Sequence, residues 1–209
     1  MIRILPVVPD FSPITDVNAG VLTIWLIVLF FSSAAAFLIA DYSVHRFKTN
    51  SKKTVAFFVI PTVLMTILML CFFGLTATTF KGIILFLILI LSSFEDIRIR
   101  ECDDYLHVLV LVAGFIGLNI QSFFNMCIAA IIVFAVIVGT VVISKGEIGG
   151  ADIKMSAACA FLLGIRRSLL GLIFSLTVAV IVNAFKKEKK DGFPMIPYLA
   201  AGFMTAYFL

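Results

Sequence analysis

The sequence is dominated by long runs of residues that carry no Asp, Glu, Lys or Arg. Residues 17–40 form an uncharged run of 24 residues, and residues 54–80 form one of 27. A helix needs about 20 mostly apolar residues to cross the roughly 30 Å hydrocarbon core of a bilayer. Backbone polar groups in lipid must be satisfied within the chain, and the runs lack the period of two that a β-barrel strand requires. They therefore predict membrane-spanning α-helices.

The composition excludes several classes of protein. Hydrophobic residues make up 62% of the 209 residues and charged residues only 13%, whereas soluble domains are about 45–50% apolar and about 25% charged. These two departures exclude a water-soluble globule and a disordered chain. The 16 Lys and Arg residues stand against 12 Asp and Glu residues, which is too few bases for a protein that follows nucleic-acid phosphates. The expected partner is the lipid bilayer, and no nucleic acid is expected.

The remaining uncharged runs complete a polytopic pattern. They cover residues 82–94, 105–144, 155–165, 168–185 and 192–209. The run 105–144 is too long for one helix, and polar residues near Asn119 indicate a turn between two helices. The run 82–94 becomes a span if the Lys81 side chain reaches the interface and the helix continues toward Arg98. We therefore expect an all-α fold, a polytopic integral membrane bundle of about eight transmembrane helices.

Basic residues in short loops predict which side of the membrane faces the cytoplasm. With eight crossings, 12 of the 16 Lys and Arg residues fall on one side, which we expect to be cytoplasmic. Both termini of this multi-pass cell-membrane protein would then lie outside. Residues 1–16 contain three prolines and no charged region followed by an apolar core and a cleavage site. We expect a non-helical lead-in there, without a cleaved signal peptide.

Two carboxylates lie where apolar helices meet loops. Asp96 ends the run ILFLILILSSFED, and Asp152 follows the stretch GEIGGA and opens the next apolar segment. Two spans separate them, so both must lie on the same side of the membrane. An ionisable group at membrane depth is costly and marks a functional site by default. If the two meet, they share one proton, as in the pair with which aspartic proteases activate water. Ion-translocating carboxylates and helix caps remain alternatives.

Small and polar residues surround Asp152. Gly149 and Gly150 allow another backbone to approach the carboxylate closely, which suits an extended peptide and a helix contact equally. Lys154 either biases the pair toward ionisation, contacts a substrate or extends to the membrane interface. His107, just inside the fourth span, is expected to hydrogen-bond between helices in preference to binding a ligand.

The four cysteines do not form a paired motif. They are scattered along the chain without a C-x-x-C pair, at Cys71, Cys102, Cys127 and Cys159. This spacing argues against a zinc site or a disulfide framework. Cys102 is a poor candidate nucleophile because its acidic neighbours Glu101 and Asp103 disfavour the thiolate. We expect no metal and no cofactor.

Two segments together resemble a known enzyme family. The run EDIRIRECDDYL resembles the first active-site motif of the type IV prepilin peptidases, and particularly of the archaeal preflagellin and prepilin peptidases. The run GGADIKMSAACAFLLG resembles their second motif, the GxGD signature that they share with presenilin-type intramembrane aspartyl proteases. Ala151 replaces the second glycine of the strict signature, a small residue that keeps close approach possible. The ending FPMIPYLAAGF is similar to the last helix of such enzymes.

The resemblance covers residues from about 80 to 209 and implies an activity. It implies that residues 79–209 form a GxGD-type aspartyl peptidase domain with Asp96 and Asp152 as its catalytic residues. Residues 1–78 would form an N-terminal region with two spans of unknown role. The implied enzyme is an endopeptidase that removes class III signal peptides from pilin-like or archaellin precursors at the cytoplasmic face. The bifunctional bacterial members also carry a paired-cysteine segment and a methyltransferase activity, so peptidase activity alone is expected here.

Acidic residues cluster around the first motif. Residues 95–104 contain five acids and two bases, on a side otherwise rich in bases. Apart from Asp96, acids such as Glu95 are expected to be solvated loop charges. Three of them are expected to attract the basic leader of a substrate, with local pairing to Arg98 and Arg100 as the alternative. The candidate substrate-binding residues are Glu101, Asp103, Asp104, Gly149, Gly150 and Lys154.

Two other classes of protein fit the same residues. A proton- or ion-coupled transporter would use Asp96 and Asp152 as relay groups and would cut no polypeptide. A membrane scaffold without enzymatic activity would tolerate Asp→Asn changes at both positions.

Overall fold

The computed structural model describes residues 19–143, 149–185 and 194–209. Within these ranges the chain forms eight α-helices joined by short connections. They are α1 (Ala19–Phe47), α2 (Ser51–Phe73), α3 (Ala77–Ile99), α4 (Asp104–Gly114), α5 (Ile120–Ile143), α6 (Gly150–Leu163), α7 (Ile165–Phe185) and α8 (Ile196–Tyr207). The described ranges contain no strand, and the predicted all-α fold is confirmed.

Length and hydropathy divide the helices into two groups. Five of the described helices, α1, α2, α3, α5 and α7, are long and apolar enough to cross a membrane. The others are shorter, with 11 residues in α4, 14 in α6 and 12 in α8. At 1.5 Å per residue the shorter helices extend about 16–21 Å, less than the roughly 30 Å of bilayer hydrocarbon. A helical membrane bundle is thus confirmed, and the number of eight crossings stays a prediction.

One helix boundary differs from the uncharged runs. The run 54–80 is divided, because α2 ends at Phe73 and α3 begins at Ala77. Gly74 closes α2 with a φ of 60°, which glycine adopts without strain, and its N–H binds the carbonyl oxygen of Leu70 at 2.9 Å. The predicted end of the second span is therefore wrong. Hydropathy alone does not register a break between two apolar helices.

Two other boundaries agree with the sequence. The helix α3 includes Lys81 and continues to Ile99, so the short third run does belong to a long helix. The run 105–144 is divided between Gly114 and Ile120, close to the expected turn at Asn119. Both agreements follow from polar residues that interrupt or end an apolar segment.

The chain divides into two compact units. The first contains the described residues up to Leu87 together with Phe208–Leu209, and the second contains Ile88–Tyr207. Both candidate catalytic aspartates belong to the second unit. The domain boundary expected after residue 78 stays a prediction.

In the first unit, α1 packs on α2 through small side chains. Ser32, Ala36 and Ala40 are spaced four residues apart on α1, and all three are buried. Thr66 of α2 donates a hydrogen bond from its Oγ1 to Ser32 Oγ at 3.1 Å. Small residues and interhelical hydrogen bonds drive helix association in lipid, where apolar surface alone supplies no preference. The interface is therefore of the kind expected inside a membrane.

In the second unit, α6 is the central helix. It packs against α4, α5, α7 and α8, and most of its side chains from Met155 to Leu162 are buried. A Cβ atom at Gly114 of α4 would lie 2.9 Å from the ring of Phe161. Glycine at that position therefore lets α4 approach α6 closely.

The helices α7 and α8 also meet through small residues. A Cβ atom at Gly202 would collide with Ser175 and with the carbonyl oxygen of Gly171. One at Gly171 would lie 2.7 Å from the ring of Phe203. The hydroxyl of Ser175 lies 2.7 Å from the Gly171 carbonyl oxygen and 3.3 Å from that of Leu199 on α8. This contact fixes α8 against α7.

We expect Gly202→Val to destabilise the protein by about 1–3 kcal/mol, because the added carbons force α7 and α8 apart. The measurement is the thermal unfolding midpoint in detergent. The matched control is Ala201→Val, which changes the exposed neighbour on the same helix and should leave the midpoint nearly unchanged. Equal midpoints for Gly202→Val and the wild type would contradict the close packing.

Candidate active site

Asp96 is buried near the carboxyl end of α3, with 7% of its surface exposed. The backbone N–H of Ile196, the first residue of α8, donates a hydrogen bond to Asp96 Oδ2 at 3.0 Å. The first N–H groups of a helix have no partner within the helix and favour negative charge. Asp96 therefore caps α8 from a different helix, and this hydrogen bond orients its carboxylate.

Asp152 lies in the first turn of α6, three residues after the N-cap residue Gly149. The carboxylate accepts a hydrogen bond from the Gly149 backbone, which is half of a capping box. A Cβ atom at Gly149 would lie 3.1 Å from Asp152 Oδ2, whereas one at Gly150 would meet no atom within 4 Å. Only Gly149 is therefore in tight contact with the carboxylate, and the described structure leaves open space beside Gly150.

The two carboxylates interact electrostatically. Burial raises the pKa of Asp152 to about 6, and the nearby charge of Asp96 adds to the rise, while the hydrogen bond from Gly149 opposes it. The charge of Asp96 thus acts on Asp152, although the two aspartates are 56 positions apart in the sequence. Both are held by backbone N–H groups at the start of a helix.

Glu95, the residue before Asp96, is fully buried. Its Oε2 accepts a hydrogen bond from the backbone N–H of Asp103 at 3.3 Å, which ties the start of α4 to α3. The expectation that Glu95 is a solvated loop charge is therefore wrong. The reason is that α3 continues to Ile99 and carries Glu95 into the interior together with Asp96. Nothing in the local sequence distinguishes a buried acid from an exposed one at this position.

The three acids expected to attract a leader have different surroundings. Glu101 is exposed on the connection between α3 and α4. Asp103 is the N-cap residue of α4, and its side chain makes no capping hydrogen bond. Asp104 Oδ1 lies 2.7 Å from Nζ of Lys154 on α6, and both side chains are largely exposed. Asp104 and Lys154 therefore neutralise each other locally, a pairing that the sequence analysis did not anticipate.

Two interpretations of residues near the pair are confirmed. His107 is buried on α4, and its Nε2 lies 3.2 Å from the carbonyl oxygen of Ala151 on α6, which is the predicted hydrogen bond between helices. Burial raises the pKa of Cys102 to about 12, and nearby carboxylates add to the rise. Cys102 is thus a poor nucleophile, chiefly because it is desolvated. Among the described residues, no three His, Cys, Asp or Glu side chains are grouped to hold a metal ion.

Comparisons with known proteins agree with the resemblance seen in the sequence. Residues 83–184 match the profile of the type IV leader peptidase family. The chain is also 24% identical over 143 residues to the prepilin leader peptidase/N-methyltransferase of Bacillus subtilis (strain 168). That alignment covers 65% of this chain and 58% of the relative, so the chain spans less than two thirds of the relative's length. No solved structure matches the chain.

The matched range includes Asp96 and Asp152 together with both motif-like segments. It also includes the helices α4 and α5 that connect the two aspartates. Residues 83–184 of this chain are therefore similar to the type IV leader peptidase family.

Proposed function

We propose that this protein is a membrane aspartic endopeptidase that removes leader peptides from type IV pilin-like or archaellin precursors. Asp96 and Asp152 are its catalytic pair, and cleavage takes place at the cytoplasmic face. The observation that carries the proposal is the electrostatic interaction between buried Asp96 and half-buried Asp152, which lie at separate helix ends inside the range that matches the family. Titratable groups with shifted pKa values in such a site are typical of catalysis.

A carboxylate pair that shares one proton suits peptide hydrolysis. The ionised member takes a proton from water as the water oxygen attacks the peptide carbonyl carbon, and the protonated member donates to the carbonyl oxygen. When the tetrahedral intermediate collapses, the C–N bond breaks and the leaving nitrogen receives a proton from the pair. The raised pKa of Asp152 supports this role, because it lets the pair keep one proton up to a pH of about 6, well above the ordinary value of 3.8.

The surroundings of the pair suit an extended peptide with a basic leader. Gly150 is exposed, and a Cβ atom there would meet no described atom within 4 Å, so we propose that the main chain of a substrate approaches the start of α6 at this glycine. Exposed Glu101 and the half-buried Asp103 place negative charge at the N-terminus of α4. We propose that these two acids attract the leader. Asp104 pairs with Lys154.

Amide substitutions in the pair test the function. We expect Asp96→Asn and Asp152→Asn each to lower precursor cleavage by at least about 100-fold, because each removes one partner in proton transfer. The measurement is the size of a pilin-like precursor co-expressed with each variant. The matched control is Asp41→Asn, which changes an exposed aspartate of α1 and should leave processing unchanged. Undiminished cleavage by either amide variant would refute the proposal, and so would a wild type that cleaves none of several precursors. Ion flux without cleavage would favour a transporter.

A charge test addresses the leader. The double variant Glu101→Gln, Asp103→Asn is expected to slow cleavage of a precursor with a basic leader several-fold, because it removes long-range attraction. A precursor whose leader charges have been neutralised serves as the control and should be cleaved at the wild-type rate. The difference should shrink at high salt, since exposed charges are screened. An equal loss of cleavage rate on both precursors would show that the two acids do not recognise the charge of the leader.

The pH dependence of stability tests whether the pair shares a proton. The pKa of Asp152 is about 6 in the folded state, against an ordinary value of 3.8. The folded state thus holds the proton more tightly, so this group's stabilisation is complete below about pH 3.8 and is lost as the pH rises through about 6. Asp152→Asn removes that loss, and its gain in unfolding midpoint over the wild type should be larger at about pH 8 than at about pH 4.

An Asp96→Asn protein is the matched background for this measurement. Because the charge of Asp96 helps to raise the pKa of Asp152, the gain from Asp152→Asn at high pH should be smaller in an Asp96→Asn protein. Identical gains in both backgrounds would show that the two carboxylates do not interact.

A further inference from the structure

Two residues of α4 contact residues on either side of Asp152 in the sequence. His107 Nε2 lies 3.2 Å from the carbonyl oxygen of Ala151, the residue before Asp152. Asp104 Oδ1 lies 2.7 Å from Nζ of Lys154, two residues after it. We call these four residues the α4–α6 bridge. The bridge holds the first turn of α6, where the Asp152 carboxylate is attached, against α4.

The buried half of the bridge is the stronger of the two contacts. His107 is only 5% exposed, whereas the Asp104 and Lys154 side chains are 76% and 55% exposed. An exposed ion pair contributes little and is screened by salt. A hydrogen bond shielded from water is stronger, and leaving one of its partners unpaired is costly.

Packing alone does not account for a histidine at this position. Burying an imidazole costs free energy unless its polar atoms are hydrogen-bonded, and Nδ1 of His107 makes no hydrogen bond with any described residue. That nitrogen lies 3.8 Å from Asp104 Oδ1. An apolar side chain would fill the same space without this cost, so the polar contacts of His107 account for a histidine here. Asp104 is on the same helix, and the bond from Nε2 to Ala151 is the contact that reaches α6.

Among the described residues, the N-cap position of α6 supplies no side-chain hydrogen bond to the first turn. Its N-cap residue is Gly149, which has no side chain to cap the helix. The hydrogen bond between Gly149 and the Asp152 carboxylate is internal to that turn and moves with it. The α4–α6 bridge is thus an external contact that holds the turn relative to α4.

We propose that His107 is a positioning residue for Asp152, acting through the carbonyl group of Ala151. The inference rests on the proposed function, because it assigns His107 a part in the same reaction. Donation to a carbonyl oxygen requires a proton on Nε2, so His107 carries its proton there when neutral. The charged imidazole donates the same bond, with Asp104 and Lys154 as the charged groups facing it. The contact thus persists in both protonation states.

Two amide variants separate positioning from simple packing. The Gln amide nitrogen reaches the place of Nε2, so His107→Gln keeps a donor to Ala151. The amide nitrogen of His107→Asn stops near the place of Nδ1 and loses the contact. We expect His107→Gln to retain most of kcat, and His107→Asn and His107→Leu to lower kcat by up to about 100-fold with little change in KM, because a misplacement of about 1 Å costs that much. The matched control is His45→Asn, which changes an exposed histidine of α1 and should leave both constants unchanged.

A second readout does not depend on cleavage. Hydrogen–deuterium exchange of the amides of residues 152–156 reports whether the first turn of α6 is held. Exchange should speed up in His107→Asn and His107→Leu and remain slow in His107→Gln, while the unfolding midpoint of all three stays close to that of the wild type. Wild-type kcat and slow exchange in His107→Leu would overturn the proposal, as would equal losses in Gln and Asn. If the wild type cleaves no precursor, the proposed function fails, and the exchange pattern still decides the role of His107.

Discussion

A carboxylate in an apolar bundle is stable only where hydrogen-bond donors replace the water that it has lost. Asp96 meets this requirement through the first backbone N–H of α8, and Asp152 through the backbone of Gly149 at the start of its own helix. Both solutions use the partial positive charge of a helix amino terminus. The arrangement of α3, α6 and α8 therefore supplies a backbone donor to each of the two carboxyl groups.

This dependence gives the close contact between α7 and α8 a role in the site. Gly171 and Gly202 let the two helices approach until backbone touches side chain. The position of α8 determines where Ile196 presents its N–H, and so how the Asp96 carboxylate is oriented. A loss of packing at Gly202 is thus expected to shift α8, and with it the Ile196 N–H that orients the Asp96 carboxylate. Rigid helices transmit such changes because packed interiors do not deform continuously.

The acids around the first motif have separate functions despite their closeness in sequence. Glu95 is buried and holds the start of α4 through the N–H of Asp103. Asp104 pairs with Lys154, and Glu101 remains exposed. One cluster therefore contributes a structural anchor, an ion pair between helices and free negative charge. The acids of this cluster therefore do not share a single electrostatic role.

The sequence by itself determined the helical membrane class of the protein and singled out Asp96 and Asp152 as candidate catalytic residues. Hydropathy and charge are local properties, so long uncharged runs predict membrane helices, and the turn near Asn119 is visible as a group of polar residues. The motif-like segments pointed to Asp96 and Asp152 for the same reason, since each is contiguous. The break at Gly74 was missed because apolar residues continue on both sides of it.

Only the tertiary structure decided which groups surround the pair. The donor to Asp96 is the backbone of Ile196, 100 residues away, and any residue except proline offers the same N–H. The partner of Asp104 is Lys154, 50 residues away, although Arg98 and Arg100 are much closer in sequence. Hydropathy identifies the helices that can cross a membrane but does not set their rotation or their neighbours, which follow from side-chain packing between distant segments.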